Sequence, residues 1–284
     1  MGQVAFICKG TALKTLIVIP SRYASTRFPQ KPLHLIAGQS LLSRVASVAQ
    51  VCCARSDNVS IVVATDHPAI ESHAIEIGVP VVMTDPDLAS GTDRALAAAN
   101  QVAPEAEFIV NLQGDAPFTP PDYISAIIDA GRTTALDAVT PIVQMSWDDL
   151  DELRERKRET PFSGTTCIVN AKDEALWFSK NIIPAMRKED RLRAAGDMSP
   201  VWRHIGLYGY KRDALKKFVG LLEGHYESLE GLEQLRFLEN GLRMQAVKVP
   251  AAPSAMWGID TPEDAAHAET LIAKHGEPLA EYQK

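Results

Sequence analysis

IVIPSRYASTRFPQKPL, residues 17–33, is the stretch from which the fold can be read. An apolar run ends at Pro20. The next eleven residues present Arg22, Arg27 and Lys31, with the small polar residues Ser21, Ser25 and Thr26 between them. A strand that empties into a basic loop suits a polyphosphate. The strand fixes the loop, and the loop offers guanidinium forks and an ammonium to phosphate oxygens. A solvated surface loop is the alternative reading of the same residues.

Outward from this stretch, strand and helix signals alternate. Thr15 to Pro20 reads as a continuous apolar strand. After Gly38, Ser40 can cap a helix in which Leu41, Leu42, Val45, Val48, Ala49 and Cys52 recur at helical spacing. Val59 to Ala64 reads as a strand ending in Thr65-Asp66, and His67 to Ile77 as a helix stopped by Gly78. Val79 to Met83 is a third strand and Gly91 to Val102 a helix. Phe108 to Leu112 is a strand ending in Gln113-Gly114-Asp115, followed by a helix from Pro121 to Ala130. Buried strands alternating with helices predict an α/β fold on a mostly parallel sheet. Ligands of such sheets lie outside the carboxyl ends of the strands, where Ser21-Arg22, Thr65-Asp66 and Gln113 to Asp115 gather.

The second half is less regular. Asp148 to Glu159 is a dense charge run, read as an exposed helix or loop. Thr165 to Val169 and Ala175 to Ser179 read as two strands joined by a turn, and Arg187 to Ser199 as a polar segment able to move. His204 to Tyr210 alternates as one strand. Leu229 to Leu238 reads as a helix, Gln245 to Val249 as a strand, and Thr261 to Ala273 as a helix with Pro262 at its first position.

The 284 residues are 46% hydrophobic and 23% charged, values of an ordinary globular chain with room for a sizeable core. A net charge of −7 argues against broad nucleic-acid binding but not against a local basic pocket. Cys8, Cys52, Cys53 and Cys167 form no CxxC pair and no zinc spacing, and read as reduced thiols of a cytoplasmic protein. The apolar patch Val4 to Cys8 is too short for a signal-peptide core or a membrane span. Residues 1–13 read as an extension, and residues 14–284 as a single domain.

Asp115 and Asp260 each stand at an element end beside a glycine, Gly114 and Gly258. Two carboxylates brought together from distant segments repel unless a cation lies between them. Mg²⁺ is the natural one, since it takes one or two carboxylates plus substrate phosphates. A turn aspartate and a helix cap are the alternatives for Asp115 and Asp260. Ala89-Ser90-Gly91-Thr92-Asp93-Arg94 places small donors at a helix start, fit for a nucleobase or phosphate, or simply for capping. His204 and Tyr208, and Glu233 and Gln234, are candidates whose structural alternatives are a core histidine, a core tyrosine and a solvated helix face. The P-loop, nucleophile elbow, zinc-protease helix and GxGxxG patterns are absent from the sequence.

Together, IPSRYASTRFPQKPL, VVATDHPAI, MTDPDLASGTDR, VNLQGDAP, ALWFSKNIIP, RHIGLYGYKR, LEGLEQLRFLENG and GIDTPEDA resemble, in order and over nearly the whole chain, the 3-deoxy-manno-octulosonate (Kdo) cytidylyltransferases. The resemblance implies a Rossmann-like nucleotide-diphospho-sugar transferase fold. With it comes a smaller mixed-sheet lobe, about residues 145–215, for substrate and dimerisation. It implies a homodimer that makes CMP-Kdo and pyrophosphate from CTP and Kdo, for lipopolysaccharide or capsule precursors. By motif, Ser21, Arg22, Arg27 and Lys31 would face the triphosphate, and Ala64, Thr65, Asp66, Ser90, Gly91 and Thr92 the cytosine and ribose. Gln113 would sit at the nucleotide–sugar junction, and Asp115 and Asp260 would hold Mg²⁺. His204, Tyr208, Glu233 and Gln234 would line the sugar pocket, and Arg22, Lys31, Asp115 and Asp260 would carry catalysis. Three positions depart from the family pattern: Ala116 replaces a glutamate, Gln30 a glycine and Thr166 a lysine. A different acid sugar, such as 8-amino-Kdo, or an idle nucleotide-binding homologue are the alternatives they raise. Nucleic-acid and membrane partners are not expected.

Overall fold

The computed structural model describes residues 13–24, 28–252, 258–280 and 282. The first twelve residues and Arg27, expected at the triphosphate, lie outside the described residues.

Strand β1 (Thr15–Ser21) is buried at every position. It lies between two parallel neighbours, β4 (Val59–Thr65) and β6 (Phe108–Leu112), and β5 (Val81–Met83) extends the parallel wing beyond β4. A strand packed on both faces must be apolar throughout, which is why this segment carries no alternation. Its side chains divide between two layers. Ile17 and Ile19 face helices α1 (Leu41–Ala54), α4 (Pro121–Thr133) and α10 (Pro262–His275). Leu16 and Val18 face α3 (Gly91–Val102), α7 (Arg212–Val219) and α9 (Glu233–Glu239). Burying each such aliphatic side chain contributes roughly 1.5–3 kcal/mol, so the two apolar layers fix the sheet between the helices. The short hairpin β2 (Leu35–Ile36) and β3 (Gln39–Ser40) precedes α1, and α2 (Pro68–Glu76) links β4 to β5.

The mixed part expected beyond residue 145 continues the same sheet. Strand β7 (Ala138–Ser146) is its hub. It pairs in parallel with β12 (Met244–Lys248) and antiparallel with both β10 (Met198–His204) and β11 (Leu207–Lys211). Strand β11 closes onto β6, and β8 (Thr166–Val169) and β9 (Ala175–Ser179) extend outward from β10. Register at Val139 and Ile142 places β10 and β11 in turn along one edge of β7, opposite β12. The single strand expected from His204 to Tyr210 is therefore two, interrupted at Ile205-Gly206. There the Ile205 N–H donates to the Pro141 carbonyl at 3.2 Å.

One other expectation is corrected, and one segment gains a defined structure. The helix read from Leu229 to Leu238 is broken by Gly231, whose φ of 63° is left-handed, into α8 (His225–Glu230) and α9. Glu233 and Gln234 thus open α9. The polar segment from Arg187 contains α6 (Glu189–Ala195), which is clamped to α5 (Trp147–Glu159). Arg154 bonds Glu189, and Arg193 reaches Asp151 while its guanidinium lies over the Trp147 ring. Among the described residues no helix is long and apolar enough to cross a membrane.

Candidate active site

The carboxyl ends of β4 and β1 are level: Pro20 pairs with Ala64 and Ser21 with Thr65. Gly114, just beyond β6, lies against them. A Cβ at Gly114 would stand 2.7 Å from the Pro20 carbonyl oxygen, so only glycine lets the two strand ends meet. Gly91, at the start of α3, packs on the Pro20 ring with the Gln113 amide beside it. The ends of three strands and the start of one helix so form one floor.

At its rim Lys31 gathers both candidate metal ligands. Its ammonium donates to Asp115 Oδ2 at 3.2 Å, Asp260 Oδ1 at 3.4 Å and the Ile259 carbonyl at 2.9 Å. The Ile259 N–H in turn donates to the Asp115 carbonyl at 2.9 Å, clipping the C-terminal segment to the loop after β6. The alternative for Asp260 as a helix cap is settled: Thr261 caps α10 through its own hydroxyl, leaving the Asp260 carboxylate to Lys31. Lys31 is mostly buried, while the carboxylates are 36% and 47% exposed, open to a ligand. Two carboxylates and a carbonyl are hard oxygen donors, a set that suits Mg²⁺. Gln30, preceding Lys31, holds φ at 57° where the family pattern has glycine.

The residues expected at the nucleoside are ordered around Asp66. Its carboxylate accepts the Tyr23 N–H at 3.2 Å and the Arg94 guanidinium at 3.0 Å. Arg94 is fully buried, which lowers its pKa, and Asp66 opposes that shift. Arg94 also bonds the Thr84 hydroxyl, and Thr84 donates N–H and hydroxyl to the Thr65 carbonyl. Tyr23 stacks on His67, ring centroids 3.6 Å apart. Ser21 is buried, and Arg22 donates to the Leu88 carbonyl at 2.8 Å. Ser90 caps α3, accepting from the amides of Thr92 and Asp93. Asp66, like Ser90, is thus engaged within the protein.

Thr92 joins the two halves. Its hydroxyl donates to Glu233 Oε2 at 2.6 Å and accepts from Asn111 Nδ2 at 3.2 Å. Gln234, next on α9, is buried. His204 is buried against Phe178 and its ring centroid lies 5.4 Å from that of Tyr208. The Thr140 hydroxyl donates to the Leu207 carbonyl at 2.8 Å, so it accepts from His204 Nε2 at 2.9 Å. Burial, with help from the Lys180 charge, pushes His204 down to about 3, so it is neutral at physiological pH. Burial raises the Tyr208 phenol well above its ordinary range.

Lys180 and Arg94 escaped the sequence reading. Lys180 follows β9 as Arg22 follows β1, a cation directly after a strand-ending serine, and that repeated pattern was its signal. Its half-buried ammonium lies in the fields of Asp260 and Glu230, with desolvation lowering its pKa. Arg94 sits inside the quoted helix start, but nothing there marks it as buried.

The family described as Cytidylyltransferase matches residues 16–245. A 3-deoxy-manno-octulosonate cytidylyltransferase of Maricaulis maris (strain MCS10) is 41% identical over 266 residues, 93% of this chain and 99% of that protein. One of Bacteroides thetaiotaomicron is 36% identical over 263 residues, 92% of this chain and 98% of that protein. Among solved structures, a CMP:2-keto-3-deoxy-manno-octonic acid synthetase complexed with CTP superposes with a TM-score of 0.77 at 31% identity. The match covers 92% of this chain and 99% of that one.

Proposed function

Because the chain belongs to the 3-deoxy-manno-octulosonate cytidylyltransferase family, we propose that it joins CTP and Kdo into CMP-Kdo with release of pyrophosphate. The observation that carries this reading is the meeting of Lys31, Asp115 and Asp260 at the end of the parallel strands. In that reaction the anomeric hydroxyl oxygen of the sugar bonds to the α-phosphorus as the bond to pyrophosphate breaks, and the hydroxyl proton is released.

Asp115 and Asp260, with the Ile259 carbonyl beside them, would hold Mg²⁺. The chemistry gained from such an ion is neutralisation of phosphate charge and a lowered pKa for the attacking hydroxyl. Arg22, Arg27 and Lys31 would offset charge on the departing pyrophosphate. Gly114 lets the strand ends behind the triphosphate meet, and Ala64, Thr65, Asp66, Ser90, Gly91 and Thr92 would border the nucleoside. His204, Tyr208, Glu233, Gln234 and Gln113 would contact the sugar. To these we add Lys180, whose ammonium, without a hydrogen-bond or ion-pair partner among the described residues, suits the sugar carboxylate.

The substrate lobe of residues 145–215 would also carry the contact between two copies of the chain in a cytoplasmic homodimer. Leu176, exposed on the outer strand β9 of that lobe, is an apolar side chain that a second copy would cover. Sedimentation of the purified chain tests this, and a monomer at micromolar concentration would refute it.

A second reading, a different acid sugar such as 8-amino-Kdo, is favoured by Ala116, which removes a carboxylate beside Asp115. One experiment separates the readings: pyrophosphate release with CTP and Mg²⁺ across Kdo and related acid sugars, with EDTA and other nucleotides as controls. EDTA-sensitive release with Kdo supports the first reading. Release only with another sugar supports the second, and nucleotide binding without release would make the chain a binding homologue.

A further inference from the structure

Lys157, near the end of α5, is surrounded by carbonyl oxygens. Its ammonium donates to the carbonyls of Lys180 at 2.6 Å, Pro161 at 3.2 Å and Gly164 at 3.3 Å, and also to that of Ser163. Among the described residues it makes no ion pair with a carboxylate. A cation in a ring of neutral oxygens organises backbone by drawing carbonyls from separate segments onto one positive centre. Burial and the neighbouring Lys180 charge both work against this ammonium. Its cost is therefore borne for the geometry it imposes.

The backbone it holds leads to the sugar side of the cleft. Beyond β9 the chain is secured by side chains instead of a strand partner. Glu230 accepts the Lys180 N–H at 2.7 Å and the Ser179 hydroxyl at 2.8 Å. Lys157 holds the Lys180 carbonyl. Thr166, fully buried, donates to the Asn181 carbonyl at 2.7 Å and accepts the Ile183 N–H at 3.1 Å. Both sides of the Lys180 residue are thus tied, and only its side chain is free to reach into the cleft.

We propose that Lys157 is a positioning residue: its ammonium is a tethered cation that fixes the Lys180 peptide and so aims the Lys180 ammonium at the acid sugar. This rests on the reading of Lys180 as the group that meets the sugar carboxylate. Because the four carbonyls would remain after truncation of Lys157, a small cation of similar size can stand in for it.

The test uses the full chain and compares Lys157→Ala with Lys180→Gln. Pyrophosphate release gives KM for each substrate, and backbone amide exchange at Lys180 to Ile183 reads the clamp without any substrate. Lys157→Ala is expected to raise KM for Kdo roughly tenfold or more, the loss of one charged hydrogen bond, while KM for CTP changes little. It should also speed exchange at Lys180 to Ile183. Added butylammonium should restore both readouts in Lys157→Ala, whereas tetramethylammonium, which has no N–H, should not. Lys180→Gln should show the same sugar-selective loss without rescue. An unchanged exchange rate in Lys157→Ala, equal losses for both substrates, or no response to butylammonium overturns the proposal. If Lys180→Gln leaves the sugar KM unchanged while Lys157→Ala still loosens the clamp, the reading of Lys180 fails and the clamp stands as structural only.

Discussion

The hydroxyl of Thr92 and the carboxylate of Glu233, 141 positions apart, share a hydrogen bond of 2.6 Å. Thr92 is proposed to border the nucleotide and Glu233 the sugar, and on that proposal the bond ties the two half-sites together. Thr92→Val removes the only hydroxyl that serves both Glu233 and the Asn111 amide among the described residues. The expected destabilisation is about 1–3 kcal/mol by urea unfolding, because partly buried polar groups lose their partner. KM for both CTP and Kdo should rise, and a change in only one of them would refute the coupling.

Asp115→Asn and Asp260→Asn each remove a charge from the site without removing its shape. Turnover is expected to fall by a factor on the order of 10²–10³ while the unfolding midpoint holds, as for other groups that stabilise developing charge. Both carboxylates are partly exposed and each contacts Lys31, so the loss of one leaves the other to hold the ammonium. Full activity in either variant would refute the metal role.

His204 makes stability depend on pH. Its folded pKa of about 3 lies below the ordinary value of 6.5. The unfolded chain therefore takes up the proton first as pH falls. The contribution is complete above pH 6.5 and declines by about 1.4 kcal/mol per unit between there and pH 3. His204→Gln keeps a donor toward Thr140 but cannot titrate. Urea unfolding at pH 7 and 4.5 should show the wild type losing more stability than this variant.

Gln30 and Gly114 test the backbone from opposite directions. Gln30 stands in the left-handed region, so Gln30→Gly is expected to stabilise by about 0.5–1 kcal/mol. Gly114→Ala forces a methyl against the Pro20 carbonyl, a backbone atom that cannot swing away, and should cost about 1–3 kcal/mol with a loss of CTP affinity. Thermal melts and CTP titrations check both.

The sequence disclosed the parallel wing well, for a physical reason. A strand buried on both faces, such as β1, is a continuous apolar run, and the caps at Ser40, Ser90 and Thr261 mark helix starts through residue chemistry that is local. Strand β7 went unread although it is the hub of the sheet. Thr140 and Gln144 interrupt its apolar pattern, and their partners, Leu207 and Ser199, are far along the chain. The break at Gly231 was hidden because leucines on both sides keep helical spacing. Of the site, the pairing of Asp115 with Asp260 was anticipated, but the ammonium between them was not. Lys180 carried only a faint signal, a cation after a strand-ending serine, which many surface lysines share.

The triple engagement of Lys31 has a thermodynamic consequence. An ammonium has three protons, and here Asp115, Asp260 and the Ile259 carbonyl accept them all. A phosphate that recruits this lysine must therefore win it from partners already in place. Affinity at this point is a difference between two similar attractions, not the full strength of either. Small shifts of the C-terminal segment that carries Ile259 and Asp260 would then tune how tightly the opposite end of the chain grips its nucleotide.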